Sequence, residues 1–290
     1  MVERSVEGSG AADGGTLGEQ GGGAEGSQPE EPDWGSRVAA IAQRMIFSRI
    51  ARELLIIIGG YFLYSVIRNA APEQEALAVA HAYDIIEIED VMGIGFELDV
   101  NRFFDQHTAL AVFSNYFYAV AFSATTILTL IVLWRRDWNV FRFHRTVLVI
   151  MTAAAMFTYW IYPLAPPRLL PGSGYVDTFI KYNTWGRFYV SSGEEVSNQY
   201  AAMPSMHTGW AVWAGVALWC ISARWWVRTL AALLPIVTVV VIVGTANHFV
   251  LDAVAGLAYY LCVLGAVLAL TRWRRRKGHA RVAYARVTHP

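Results

Sequence analysis

Hydrophobic positions in this chain gather into long uncharged runs that are separated by short charged segments. A helix needs ~20 apolar residues to cross the hydrocarbon core of a bilayer. Runs of that order cover residues 108–134, 146–167, 200–223, 229–247 and 253–271. A sixth, weaker run covers residues 50–67, where Arg52 and Glu53 interrupt the apolar pattern. The pattern predicts an all-α integral membrane bundle of about six transmembrane helices.

Two segments between these runs have a different character. Residues 71–104 mix apolar residues with many acidic ones, a pattern that predicts amphipathic helices lying at the membrane interface. Residues 169–199 are rich in glycine and include Pro171. The length and turn content of this second segment predict a loop that covers a site.

The overall composition favours a membrane protein and excludes a nucleic-acid-binding one. Hydrophobic residues make up 55% of the 290 residues, and charged residues only 16%. Acidic and basic residues balance at 23 each, so the chain has no net charge suited to nucleic acid. Both cysteines, Cys220 and Cys262, lie inside apolar runs. We therefore interpret them as packing residues rather than a disulfide or metal pair.

The composition also changes along the chain. Residues 1–33 are rich in Gly, Glu and Ser and have almost no large apolar side chain, so we expect a disordered cytoplasmic tail. Residues 34–275 form the predicted membrane domain. Residues 276–290 form a short basic tail, which we also place in the cytoplasm.

The arginine residues predict how the bundle is oriented. They concentrate before the first run, between the second and third, between the fourth and fifth, and after the sixth. Acidic residues predominate in the alternate loops. Because positive residues mark the cytoplasmic side, we expect a multi-pass protein of the plasma membrane with both termini inside. Three polar clusters then lie at the outer ends of their helices.

The first cluster pairs His248 with Asp252. A spacing of four places both side chains on one helix face. An aspartate that accepts from one imidazole nitrogen leaves the other free to attack phosphorus. A polar pair that only packs against another span is the alternative. Asn247, just before the histidine, could cap the helix or orient the histidine, and we favour a purely structural cap.

The second cluster is residues 204–207, which read Pro-Ser-Met-His. His207 opens a predicted helix, and a helix start favours phosphate through its unpaired N–H groups. From there the imidazole could protonate a leaving oxygen. Ser205 could add a hydrogen bond to the substrate or cap the helix. A lone interfacial histidine is otherwise more often structural.

The third cluster is Arg168, which follows two prolines at the end of a run. Its forked donors suit a phosphate, although an interfacial anchor is the common role of such an arginine. Lys181 and Arg187 in the following loop are further phosphate-binding candidates. Other polar residues near the outer ends are interpreted as packing or shaping groups, namely Arg68, Glu97 and Asn115.

These clusters resemble the type 2 phosphatidic acid phosphatase superfamily, whose six-span members read Lys-x6-Arg-Pro, Pro-Ser-Gly-His and Ser-Arg-x5-His-x3-Asp. Ile161 and Ile242 stand where that pattern has its lysine and its second arginine. Residues 165–168, 202–207 and 247–252 are more similar to the inositol-phosphorylceramide synthase-like branch. Members of that branch move a phosphoryl-linked head group between lipids.

The resemblance implies a role for each candidate residue. It makes His248 the nucleophile, Asp252 the residue that orients it and His207 the acid. We further expect Arg168 to bind phosphoryl oxygens and Ser205 to contact the substrate. The expected partners are a lipid phosphate substrate, membrane lipids and a polyol acceptor such as inositol, with no cofactor, metal or nucleic acid. Two other classes stay open: a non-catalytic transporter, and a haem- or metal-binding membrane protein that uses both histidines as ligands.

Overall fold

The computed structural model describes residues 74–184 and 199–288, with side chains as far as residue 276, and scattered positions between 35 and 59. The predicted tail 1–33, most of the predicted first span and residues 185–198 of the predicted cover lie outside the described residues. The chain divides into two units, Met1–Ile58 and Gly59–Pro290. All helices whose bounds are given below belong to the second unit.

The two long described ranges contain eight α-helices and no strand, which confirms the predicted all-α class. Two helices precede the first long apolar one, and a four-residue helix lies in the loop after the second. In chain order they are α1 Glu75–Met92, α2 Glu97–Gln106, α3 Thr108–Arg136, α4 Trp138–Ile161, α5 Thr178–Lys181, α6 Met206–Ile221, α7 Trp225–Gly244 and α8 Val250–Thr288.

Four of these helices are long and apolar enough to cross a membrane. They are α3, α4, α7 and the part of α8 from Val250 to Arg276. Each overlaps one of the predicted runs, and together they show a membrane protein. The placement of α1 and α2 at the interface stays a prediction.

At two boundaries the observed helix is six residues shorter than the predicted span. Helix α4 ends at Ile161 rather than at residue 167, because Pro163, Pro166 and Pro167 offer no N–H to continue it. Helix α6 begins at Met206, so residues 200–205 are not helical. Its 16 residues span ~24 Å, less than the ~30 Å hydrocarbon core.

In the non-helical segment before α6, backbone groups form hydrogen bonds with the segment that follows α4. Leu164 donates to the Tyr200 carbonyl at 2.8 Å, and Ala202 donates back to the Leu164 carbonyl at 3.2 Å. Leu164 and Ala202 are both buried. Irregular backbone within a membrane domain is tolerated where it is buried in protein. The short segment therefore replaces the first turns of the predicted span and leaves room for polar groups.

Helix α6 is the centre of the bundle, since it contacts α3, α4, α7 and α8. Trp213 is fully buried, and its indole N–H donates to the His144 carbonyl of α4 at 2.9 Å. Gly215 lets α7 approach closely, because a Cβ there would lie 2.4 Å from the Ala231 carbonyl oxygen. Close approach through small residues is a common way for membrane helices to associate.

The starts of α6 and α8 also lie against one another. The Ser205 N–H donates to the Asp252 carbonyl at 2.9 Å. A Cβ on Gly256 would lie only 2.2 Å from the Ser205 carbonyl oxygen, so the glycine makes this contact possible. The contact joins the beginnings of two helices that carry candidate site residues.

Candidate active site

His248 lies in the short connection between α7 and α8. Ala246 adopts a positive φ of 54°, and the N–H groups of Asn247 and His248 both donate to the Ile242 carbonyl. Helix α8 begins only at Val250, so His248 precedes the helix instead of sharing a helical face with Asp252. The tight connection places the imidazole inside the protein, where only 4% of the residue is exposed.

The two neighbours of the His248 Nδ1 atom decide which nitrogen carries the proton. Nδ1 lies 2.9 Å from the Ala202 carbonyl oxygen and 3.3 Å from Asp252 Oδ2. The carbonyl can only accept, so Nδ1 is the protonated nitrogen. The lone pair of a neutral His248 is therefore on Nε2.

Asp252 lies in the first turn of α8 and is completely buried. Its Oδ2 accepts from the Phe249 N–H at 3.0 Å and also faces His248 Nδ1. Oδ1 is buried and has no partner within the described residues. One carboxylate oxygen thus fixes the helix start and the imidazole together.

His207 is the second residue of α6, and its ring faces the lone pair of His248. His207 Nδ1 lies 3.4 Å from His248 Nε2. Tyr118 of α3 stacks on the His207 ring at a centroid distance of 4.2 Å, and Phe122 lies at 4.4 Å. Ser205 caps α6, since its hydroxyl oxygen accepts from the Thr208 N–H at 3.4 Å.

Arg168 lies in a 3-10 turn, Pro167–Leu169, and is attached to the residues just before His248. Its N–H donates to the Ala246 carbonyl at 2.9 Å, and its Nε donates to Asn247 Oδ1 at 3.0 Å. One Nη donates to Asp177 Oδ2 at 2.8 Å in a half-buried ion pair. The three predicted clusters therefore meet in one place.

The other predicted phosphate-binding residues are not seen at this place. Lys181 pairs with both oxygens of Asp105 at 2.6 and 2.8 Å. This hydrogen bond to Asp105 raises the pKa of the exposed lysine. Arg187 lies outside the described residues, as does Arg68, which was interpreted as a packing or shaping group.

Two buried asparagines hold the described part of the predicted cover. Asn101 of α2 accepts from the Val176 N–H at 2.8 Å and donates to the Val176 and Gly244 carbonyls. Asn115 of α3 accepts from the Thr178 hydroxyl at 2.7 Å and donates to the Thr184 hydroxyl at 2.8 Å. The segment before residue 185 is thereby fixed to the bundle on both sides of α5.

Comparison with known families is consistent with the meeting of these clusters. The family model described as PAP2 superfamily matches residues 83–280, more than half of the chain and every residue of the site. The chain belongs to the PAP2 superfamily. Its activity is therefore that of a phosphatase or phosphotransferase acting on phosphate esters. No curated protein and no solved structure matches the chain.

This PAP2 chain departs from the superfamily pattern at two isoleucines, which the structure places differently. Ile161 ends α4 with 61% of its surface exposed, away from the core. Ile242 is 1% exposed, and its carbonyl receives the Asn247 and His248 N–H groups. Within the part of the chain that the structure describes, Arg168 is the cation attached to the segment that carries His248.

Four residues at the PAP2 site were not predicted from the sequence to act there. Asp177 is one of the acidic residues of the alternate loops, and Asn247 was interpreted mainly as a structural cap, yet both bind the Arg168 side chain. Glu89 and Glu97 accept hydrogen bonds from the start of α8. The only signal in the sequence is that polar residues are rare among apolar neighbours, which does not identify a partner.

Proposed function

We propose that the protein transfers a phosphoryl group from a lipid-linked phosphate ester through a phosphohistidine on His248, at the outer leaflet of the plasma membrane. The observation that carries this proposal is the arrangement of the two imidazoles. His248 Nδ1 is held by Ala202 and Asp252, while Nε2 faces His207 at 3.4 Å. An oriented nucleophile beside a proton donor is what phosphoryl transfer requires.

In the first step the His248 Nε2 lone pair attacks phosphorus and forms a P–N bond. The P–O bond to the leaving group breaks, and its electron pair goes to the oxygen, which takes a proton from His207. The charge that develops on the imidazole is stabilised by the Ala202 carbonyl and by Asp252, both already in place. Arg168 binds the non-reacting phosphoryl oxygens.

In the second step an acceptor oxygen attacks phosphorus, the P–N bond breaks, and His207 takes the acceptor's proton. The phosphoryl group must lie between the two imidazoles in both steps. Their separation of 3.4 Å is a single hydrogen-bond contact and is too short to hold a phosphoryl group. The His207 ring, which Tyr118 and Phe122 flank, therefore shifts when substrate enters.

Apolar surroundings support a lipid-linked substrate. Aromatic side chains of α3, a candidate membrane span, contact the His207 ring where the leaving group departs. Charged groups are costly in such surroundings, whereas a lipid tail is not. The arginine asymmetry of the loops supports an outward-facing site with both termini in the cytoplasm.

Water and an alcohol are both chemically able to resolve the phosphohistidine, so the protein is either a lipid phosphatase or a lipid phosphotransferase. Two features favour transfer to an alcohol such as inositol. The covering segment is long and, up to residue 184, fixed by Asn101 and Asn115. The missing lysine and arginine also separate the chain from the usual phosphatase pattern. The similarity to the inositol-phosphorylceramide synthase-like branch points the same way.

The test is a screen of the purified protein against labelled lipid phosphates, with and without inositol. Free phosphate and the phosphorylated alcohol are both measured. We expect a phosphorylated alcohol that forms only when the alcohol is supplied and is lost in His248→Ala. Free phosphate as the sole product, whatever alcohol is supplied, would show a phosphatase instead. No turnover of any lipid phosphate would contradict the proposed substrate class.

The same assay with EDTA tests whether a metal takes part. The described residues contain no group of three or more His, Cys, Asp or Glu side chains arranged to hold a metal ion. We expect turnover to survive chelation, since the histidines and Arg168 supply proton transfer and charge. Complete loss of turnover that one divalent ion restores would replace this mechanism with a metal-dependent one.

A further inference from the structure

Three buried carboxyl groups from three helices meet at the start of α8. The first N–H groups of a helix have no partner within it. Here Phe249 donates to Asp252 Oδ2 at 3.0 Å, Val250 donates to Glu97 Oε1 at 3.0 Å, and Leu251 donates to Glu89 Oε1 at 2.7 Å. The N-terminus of α8 is therefore held by α1 and α2 as well as by its own aspartate.

The Glu89 and Glu97 carboxyl groups also bind each other, and both residues are only 1% exposed. Burial, followed by the hydrogen bond to Glu97, raises the pKa of Glu89 from 4.5 to about 9. Glu89 is thus neutral at pH ~7 and donates its proton to Glu97. The titratable groups that face Glu89 from the other described elements are Glu97, Asp252 and Tyr175.

We propose that Glu89 and Glu97 are positioning residues, which share one proton and thereby hold the first turn of α8 so that Asp252 and His248 keep their reactive arrangement. This inference rests on the proposed phosphoryl transfer at His248. With the proton present, each glutamate accepts a hydrogen bond from one backbone N–H, and the two carboxyl groups remain hydrogen-bonded to each other. Without it, two adjacent buried carboxylates and Asp252 repel one another.

This arrangement makes the site sensitive to alkaline pH. The folded protein binds one proton more than the unfolded chain between pH 4.5 and about 9, the ordinary and the raised pKa of Glu89. Stability therefore falls as pH rises through that window, and the shared proton leaves the folded protein near its upper end. Turnover should fall when the shared proton is lost, because the start of α8 then loses its fixed position.

Two substitutions at Glu89 separate positioning from simple packing. Glu89→Gln keeps an oxygen for the Leu251 N–H and a donor for Glu97, and it cannot ionise. Glu89→Leu fills the space but leaves that N–H without an acceptor. Glu87 on the same helix is exposed, so Glu87→Gln is the matched control. Each protein is purified in detergent and supplied with phosphatidic acid and inositol. Free phosphate and phosphate transferred to inositol are both measured from pH ~7 to ~10.

We expect Glu89→Leu to lower kcat about tenfold at pH ~7, with KM changed little, since one buried donor loses its acceptor. Glu89→Gln should restore most of that loss. The wild type and Glu87→Gln should lose kcat reversibly near pH 9, the pKa of Glu89, and Glu89→Gln should not. An unchanged alkaline loss in Glu89→Gln, or wild-type kcat in Glu89→Leu, would overturn the inference.

A second measurement needs no substrate and keeps the two proposals apart. The Tm of wild type and Glu89→Gln is followed over the same pH range. A steeper alkaline fall in the wild-type Tm supports the shared proton, and parallel curves overturn it, even if Glu89→Leu does not fold. Wild-type protein that turns over no lipid phosphate, together with the Tm difference, would instead contradict the proposed function alone.

Discussion

At the scale of single residues, one imidazole proton is placed by two acceptors of different kinds. The Ala202 carbonyl lies closer to His248 Nδ1 than the Asp252 carboxylate does, at 2.9 against 3.3 Å. The carbonyl alone is enough to select the tautomer. The carboxylate adds the negative charge that stabilises the imidazole when it becomes positive. The Ala202 carbonyl thus selects the tautomer of His248, and the Asp252 carboxylate stabilises its positive charge.

The first prediction follows from this separation. His248→Ala should lower turnover by about 10³-fold or more, because the nucleophile is lost. Asp252→Ala should also cost orders of magnitude. Asp252→Asn should lose less, since its amide oxygen can still accept from the Phe249 N–H while the Ala202 carbonyl keeps the tautomer. Single-turnover and steady-state rates on a verified lipid phosphate measure these effects.

His107→Ala is the matched control for these variants. His107 is exposed at the end of α2, away from the paired imidazoles, so its loss should leave turnover unchanged. Size-exclusion profiles and Tm in detergent show whether each variant is folded. Near-normal turnover in a folded His248→Ala protein would refute the phosphohistidine.

The second prediction concerns Arg168, whose Nε and one Nη hold two different side chains, Asn247 and Asp177. Lysine has a single ammonium and cannot reproduce this fork. Arg168→Lys should therefore raise KM about tenfold. Asn247→Ala should change KM in the same direction but less, because the ion pair with Asp177 remains.

The exposed Arg102 of α2 provides the control for Arg168. Arg102→Lys makes the same substitution outside the site and should leave KM unchanged. Initial rates over a range of substrate concentration separate KM from kcat. An unchanged KM in Arg168→Lys would mean that Arg168 only anchors the turn before His248.

At the scale of helices, the site depends on the distance between the first turns of α6 and α8. His207 follows the α6 cap and Asp252 lies in the first turn of α8, so a shift between these helix starts moves the acid relative to the nucleophile. Gly256 sets that distance through its contact with the Ser205 carbonyl. Packing between the helices thus determines the geometry of the chemistry.

The third prediction tests this contact. In Gly256→Ala the new Cβ would lie 2.2 Å from a backbone oxygen, which no side-chain movement can relieve. We expect a loss of ~1–3 kcal/mol in stability from overpacking, and a fall in kcat as His207 moves. Thermal unfolding in detergent and turnover on a verified lipid phosphate measure the two effects.

Gly265 lies in the same helix and has nothing within 4 Å of an added Cβ. Gly265→Ala should therefore leave turnover unchanged and stabilise the helix by up to ~1 kcal/mol. Equal effects of the two alanines would show that helix propensity, rather than the approach of α6 and α8, explains the result.

The local pattern predicts some helices and some contacts well, for identifiable reasons. The apolar runs of α3, α4, α7 and α8 are visible because a membrane span must be apolar over its whole length. The end of α4 at Ile161 was missed, because uncharged residues continue to Pro167 and the prolines were counted within the run. Hydropathy averages over residues, whereas a helix ends where one N–H is missing.

The contacts of Glu89 and Glu97 with α8 could not be predicted from the sequence. They join residues 162 and 153 positions apart, and no local spacing indicates such partners. The meeting of His207 with His248 was expected because the arginine pattern places both at the same side of the membrane, and because the motifs resemble a family. Short motifs identify the chemistry of a residue, and the fold decides which residues it meets.

At the scale of the whole molecule, the distribution of charge predicts how the membrane domain is oriented. Arginines end α3, precede α7 and follow the apolar part of α8, while acidic residues are concentrated in α1, α2 and the segment after α4. His207 and His248 lie at the opposite ends of their helices from these arginines. If the arginines face the cytoplasm, the paired imidazoles face outward.

The last prediction tests that orientation. Cys220 and Cys262, both exposed in the described bundle, are first replaced by alanine so that they do not react. A single cysteine at Gly193, in the predicted cover, should then react with a membrane-impermeant thiol reagent in intact cells. A single cysteine at Gly278, in the basic tail, should react only after the cells are permeabilised.

Permeabilised cells provide the control, because both cysteines must be labelled there for the comparison to count. Labelling of Gly278→Cys but not Gly193→Cys in intact cells would place the paired histidines on the cytoplasmic side. The substrate would then come from the inner leaflet, and His248 would meet cytoplasmic water and alcohols. The chemistry of the two imidazoles would be unchanged, since it depends on contacts within the bundle and not on which face of the membrane it meets.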